Sequence, residues 1–359
     1  MKKILCAFFS VAAISVCAEP ITVATGKSGK GYSPLFQNIN AVCGDHVPLK
    51  EINTDGGLDN VSSLADKTAL MGIVPIDVLQ QMGSTDLGIK RLQAVAALNS
   101  NMLHMVTLSK GFEVIGKCTG KMVGNSCLGF QDDPVVKVLD TQADLAGLTV
   151  GLVGSAQLTG RTYVMTKVKF VPVDIETDVD AMKALKAGQI HAYMTMSPWP
   201  TGVIKDLTTK DGVKLLRWTL PKEGNFNVVK KSYKKLGQFG ISFLASQNLL
   251  MTRAIDPHTE MGQNISKLQS CIGSNLSKFK DTPTFVPSWD EVNSIEIPEG
   301  VPAWVGRVSY PPKGAAPLKE VAPVPVAPTK AKPPVAKYTM PVQVFSAKKM
   351  TEELVDAEK

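Results

Sequence analysis

Ile21-Thr-Val-Ala-Thr-Gly-Lys-Ser-Gly-Lys-Gly-Tyr-Ser-Pro-Leu35 reads as a strand, a glycine-rich turn and the start of a helix. The apolar run over 21–24 is short enough for a strand, and the Gly/Lys/Ser loop that follows cannot continue it. Ser33 stands at an N-cap position and Pro34 in the first turn of the helix that follows. Leu35, Ile39 and Val42 recur at helical spacing, and Gly44 ends the run. A strand feeding a helix through such a loop is the repeating unit of an α/β fold, and it aims backbone N–H groups at whatever lies beyond the strand end.

Working outward, the unit recurs. A strand over 49–53 runs into Thr54-Asp-Gly-Gly57 and another helix; 69–74 is a strand closed by Pro75, then a helix over 76–82 and a strand over 92–98. His104 to Leu108 reads as a further strand, and 111–135 as an irregular, Cys-containing insertion. The pattern then restarts: a strand ending at Val153, the loop Gly154–Gly160, a helix over 161–168, a strand over 171–173, a helix over 178–186, and an alternating strand over 190–196 that meets Ser197-Pro-Trp-Pro200. Two successive sets of this kind predict two lobes with a cleft between them. The chain is expected to cross between lobes near 105–115 and again near 215–240. Lobe 1 is then 19–108 with a return at 236–297, and lobe 2 is 109–235.

The ends read differently from the body. Lys2 and Lys3 precede a small apolar core over 4–16, and Val16-Cys-Ala18 supplies a small-residue cleavage site, so 1–18 reads as a cleavable export signal and the mature protein as periplasmic. Lipidation at Cys17 is the alternative reading of the same segment. From 298 to 359 the chain becomes a Pro/Lys-rich linker and tail. Its readings are a solvated arm or an arm that contacts envelope partners.

Composition narrows the function. With 44% hydrophobic and 20% charged residues and a formal net charge of +7, the chain has neither the concentrated basic face nor the motifs of a nucleic-acid binder. An exported protein favours disulfides, and four cysteines remain after the signal: Cys43, Cys118, Cys127 and Cys271. Three pairings are formally open. Cys118 with Cys127 closes a short Gly-rich loop, and this proximity leaves Cys43 with Cys271. No metal-ligand spacing and no cofactor motif is present, and no G-x-S-x-G or Cys–His pair points to an enzyme.

The candidate ligand residues sit in loops after strands. Thr25, Ser28 and Tyr32 belong to the first loop, whose N–H groups suit a carboxylate or phosphate. It is not a P-loop, because Tyr32 occupies the position that needs Lys. Asp55 starts the second helix. Asp77 follows Pro75, either to bind a ligand ammonium or to complement its own helix terminus. Ser155, Gln157 and Arg161 surround the next helix start, where a guanidinium could take a carboxylate bidentately. Trp199 lies between Pro198 and Pro200, to stack on a ligand or to pack a hinge. His104 and His191 lie in strand patterns and read as packing residues.

The order of these motifs resembles the TAXI family, the solute-binding subunits of a subset of TRAP transporters. The resemblance rests on Val23-Ala-Thr-Gly-Lys-Ser-Gly-Lys-Gly-Tyr32, Thr54-Asp-Gly-Gly-Leu-Asp-Asn-Val61, Ala69-Leu-Met-Gly-Ile-Val-Pro-Ile-Asp77 and Asp144-Leu-Ala-Gly-Leu-Thr-Val-Gly-Leu-Val-Gly-Ser155. Asp178 to Pro200 adds a similar helix, strand and proline turn. Asp55, Gly57, Gln157 and Leu158 depart from the family pattern. The resemblance implies a periplasmic-binding-protein fold that grips a small organic anion, an amino acid or carboxylate, and hands it to membrane permease subunits. The departures and the tail motivate a second expectation, a binding-protein fold recruited as a structural or assembly component among envelope proteins.

Overall fold

The computed structural model describes residues 19–306, apart from 30, 85, 87, 115–118, 124, 125 and 130–132. The export signal, the Cys118–Cys127 pairing and the tail beyond 306 therefore lie outside the described residues. The element order is β1 Ile21–Ala24, α1 Tyr32–Cys43, β2 Leu49–Ile52, α2 Gly57–Ala65, β3 Met71–Pro75, α3 Ile76–Gly83, β4 Gln93–Leu108, β5 Phe112–Val114, β6 Lys121–Val123, β7 Ser126–Leu128, β8 Val135–Lys137, β9 Thr149–Val153, α4 Ala156–Thr159, α5 Met165–Lys167, β10 Val171–Ile175, α6 Asp178–Lys186, β11 Ala192–Pro198, β12 Val213–Leu215, β13 Phe226–Tyr233, β14 Gln238–Thr252, α7 Glu260–Ser274 and α8 Leu276–Asp281.

One mixed sheet organises the body, in the order β10-β9-β11-β4-β14-β3-β1-β2. At one end β1 pairs in parallel with β2 and β3; at the other β9 pairs in parallel with β10 and β11. Parallel neighbours require crossover connections, which the helices supply. Between these sets run the antiparallel strands β4 and β14, with β12 and β13 added along them.

Apolar burial divides this sheet into two halves. In the first, Ile21, Leu35, Ile39, Ile73 and Leu98 pack with Leu268, Trp289 and Trp304, and Val61, Leu79 and Leu249 form the layer over the other face. In the second, Leu103, Val150, Leu152, Met194 and Trp218 form one core and Tyr193, Leu215, Phe243 and Ala245 another. The body is thus two-lobed α/β, and β4 and β14 thread both lobes. They pass from one core to the other at 98–102 and 245–249, inside the strands rather than in the connections near 105–115 and 215–240. The physical reason is the polar belt at the crossing: Asn101 is registered with Ser246 and Ser100 with Gln247. Ladder hydrogen bonds carry the strands through a stretch that no core claims, whereas the apolar pattern taken alone breaks at Asn99-Ser-Asn101.

Two further expectations are corrected. Helix α1 begins at Tyr32, with Gly31 at its N-cap at φ 55, and Ser33 accepts from the Gly29 N–H (3.3 Å) instead of capping the helix. The positive φ suits glycine, and the loop rather than the helix claims the serine hydroxyl. The chain also remains packed past 298: the Trp304 N–H donates to the Ala94 carbonyl (2.7 Å), the Ala94 N–H donates to the Pro302 carbonyl (2.7 Å), and the Trp304 ring is buried in the first lobe. Cys43 and Cys271 form a disulfide between α1 and α7, with the Cα atoms 6.0 Å apart.

Candidate functional site

A cleft of about 500 Å³ opens where loops from both lobes meet. Each contributing loop leaves the C-terminal end of a strand: Gly26, Lys27, Gly31 and Tyr32 follow β1; Asp55 to Asp59 follow β2; Gly154, Ser155 and Gln157 follow β9; Glu176 and Asp178 follow β10; and Thr195 to Pro198 end β11. A larger hollow of about 960 Å³ lies beside Cys271, lined by Asp45, His46, Pro257 and His258 among others. It is built from the first lobe alone and gathers no strand ends, so the cleft is the better candidate site.

Asn60 holds the first lobe's loops together. Its amide donates to the carbonyls of Thr25 and Ile73, and its carbonyl accepts from Thr54 Oγ1 at 2.6 Å. Thr54 in turn accepts from the Gly56 N–H at 3.1 Å, which sets the start of α2. Gly57 is required there: a Cβ at this position would meet Pro75 Cδ at 2.7 Å. Glycine at 57 thus follows from close packing against the end of β3.

The floor is neutral and polar. Tyr32, 5% exposed, accepts from Asn101 Nδ2 (2.6 Å) and donates to Asn248 Oδ1 (3.2 Å). Burial pushes the Tyr32 hydroxyl up from its ordinary pKa, the Asn101 hydrogen bond opposes that shift, and nearby Asp77 adds to it. Tyr32 therefore stays protonated and serves as a hydrogen-bonding group.

Of the expected ligand residues, the structure brings together Tyr32, Asp55, Ser155 and Gln157 on the lining. The others lie elsewhere. Thr25 is fully buried and donates to Glu51 Oε1 at 2.7 Å, and Ser28 is exposed and off the lining. The Asp77 carboxylate is taken by Thr159 (2.7 Å) and Ser246. The Arg161 guanidinium is bidentate to Asp174, at 2.7 and 3.1 Å, on the exposed surface. Trp199 carries Lys231 over its ring at 4.6 Å, away from the lining. An arginine-anchored anion is thereby corrected: Arg161 is satisfied within the second lobe, by a carboxylate on β10 that sequence spacing does not reveal.

Residues that the sequence reading did not select complete the lining. Asp59, Asn101, Glu176, Asp178, Thr195 and Ser197 all face the cleft. Glu176 and Asp178 flank Thr177, the N-cap of α6 that accepts from the Asp180 N–H. That helix-start signal was legible, yet it hid a second role for its neighbours. Among the described residues, no group of three or more His, Cys, Asp or Glu side chains is placed to hold a metal, and no helix is long and apolar enough to cross a membrane.

No family model matches the chain, and no curated protein matches it. Solved structures do show likenesses. An amino-acid ABC transporter substrate-binding protein from Streptococcus pneumoniae, bound to L-arginine, is 10% identical at a TM-score of 0.44, covering 77% of this chain and 97% of that one. The GluR0 ligand-binding core in complex with L-glutamate is 10% identical at 0.42, over 71% of this chain and 92% of that one. A periplasmic binding protein from Brucella ovis with glutathione bound is 15% identical at 0.40, over 74% of each chain.

Proposed function

We propose that this protein is an extracytoplasmic solute-binding protein. Its two lobes close on a small molecule in the cleft and present it to a membrane permease, of the TRAP type that the TAXI resemblance implies. The observation that carries this reading is the convergence of strand C-termini: four loops from two lobes, each leaving the carboxyl end of a strand, line one cavity with the end of β11 itself. In open α/β sheets, ligands bind beyond those ends, where backbone donors and helix starts point outward. The polar crossing of β4 and β14 supplies the hinge, since it belongs to neither core and resists bending less than the packed lobes do.

Native mass spectrometry of the exported protein tests this. A small molecule that co-purifies, and whose removal expands the particle in small-angle scattering, is the expected result. A protein with no bound solute, no response to solutes and a stable complex with envelope proteins through 307–359 would overturn transport in favour of an assembly role.

A further inference from the structure

Resting on the solute-binding reading, we infer that the cleft selects a cationic solute, one whose recognised group is an ammonium or guanidinium. The charged side chains of the described lining are Asp55, Asp59, Glu176 and Asp178 against a single ammonium, Lys27. Lys27 is already committed to Asp55, at 3.3 Å. Arg161, the guanidinium nearest in sequence to a cleft loop, is held by Asp174 outside it. A carboxylate solute would enter a field of its own sign and find no uncommitted cation on the described lining. A cation would enter an attractive field, and clefts lined by one sign of charge concentrate the opposite sign.

A second observation is independent of the carboxylates. Thr195 is 5% exposed and lines the cleft, and its hydroxyl makes no hydrogen bond to a described residue, which leaves it open to the cavity. Next along the same strand face of the wall, Ser197 Oγ is buried with no partner either. The Ser197 hydroxyl, buried and unmatched, costs free energy that a bound hydrogen-bonding group recovers. Hydroxyls both donate and accept, so these two match the three N–H donors of an ammonium while the carboxylates set the sign of the preferred charge. Asp59 belongs to the first lobe and Glu176 to the second. A cation between them is attracted to both sides, so the same charge that is recognised also draws the lobes together.

The start of α2 offers backbone N–H groups without a side-chain cap. A zwitterion with net positive charge could use them with its carboxylate, while a simple diamine would leave them to water. Calorimetric titration of the full chain with putrescine, L-lysine, succinate and L-glutamate, at low and at physiological salt, separates these cases. Putrescine or L-lysine is expected to bind roughly tenfold or more tightly than either acid, with affinity falling as salt rises. Glu176→Gln with Asp59→Asn is expected to weaken that binding by roughly tenfold while the ligand-free melting temperature holds, and Thr195→Val to weaken it with the charges intact. Tighter binding of succinate or L-glutamate that survives Glu176→Gln would overturn the cationic assignment and leave solute binding standing. No binding by any of the four would overturn it as well, and only together with no co-purifying solute and a stable envelope complex would it overturn solute binding too.

Discussion

Thr159 of the second lobe donates its hydroxyl to the Asp77 carboxylate of the first, at 2.7 Å. Ser246, at the crossing of β14, donates to the other oxygen of the same carboxylate. One carboxylate therefore ties together both lobes and the crossing of β14, and Thr159 itself is 1% exposed. Thr159→Val removes the tie between lobes and keeps the shape and the Asp77–Ser246 bond. The lost bond is worth about 1 kcal/mol, which shifts the open–closed balance by a factor of roughly five. Small-angle scattering of the ligand-free variant should show a larger radius of gyration than the parent.

The Arg161–Asp174 pair predicts the opposite of a ligand contact. Both partners are substantially exposed, at 40% and 51%. Exposed pairs contribute about 0–1 kcal/mol, so Arg161→Ala should leave solute affinity within about twofold and stability within that range. Parallel calorimetry and thermal melts of the variant check this.

The Cys43–Cys271 disulfide spans 228 residues and joins the first helix to the last long one. Cross-links over long loops restrict the unfolded chain most, so replacing both cysteines with alanine should cost roughly 2–5 kcal/mol. Urea unfolding of the double variant, compared with the oxidised parent, measures it.

His104 is fully buried, with Nε2 at 2.8 Å from the Tyr233 hydroxyl and its ring against Phe243. Burial lowers its pKa from the ordinary 6.5 to about 4, with a smaller opposing effect from the Met102 backbone. The unfolded chain therefore takes up the proton first as pH falls. Stability is full above the unfolded value and is lost as pH drops from about 6.5 towards about 4, by up to a few kcal/mol, on the order of 3. Urea midpoints of the parent and His104→Gln between neutral pH and about 4 should converge as pH falls, because only the parent carries this term.

The α/β class and most helix starts were legible because they depend on local chemistry. The helical spacing of Leu35, Ile39 and Val42 places α1, and the Gly-rich turns after Ala24 and Val153 place the loops that line the cleft. The polar belt Asn99-Ser-Asn101 misled for the same reason. Its residues resemble a break, and only pairing with Ser246 and Gln247 on β14 shows that the strand continues.

By itself, the sequence determined where strands hand over to helices and hence which loops gather at one end of each lobe. Of the three possible disulfide pairings it preferred the one with Cys43 and Cys271, and the structure forms that bridge between α1 and α7. Partner choice belonged to the tertiary structure alone. Arg161 looked available until β10 brought Asp174 to it, and Asp178 looked like an ordinary helix-start acid until the structure placed it with Glu176 on the cleft. A side chain's charge is local, whereas the charge it faces is set by strands paired far apart in the chain. The sequence could therefore locate the cleft but not its sign.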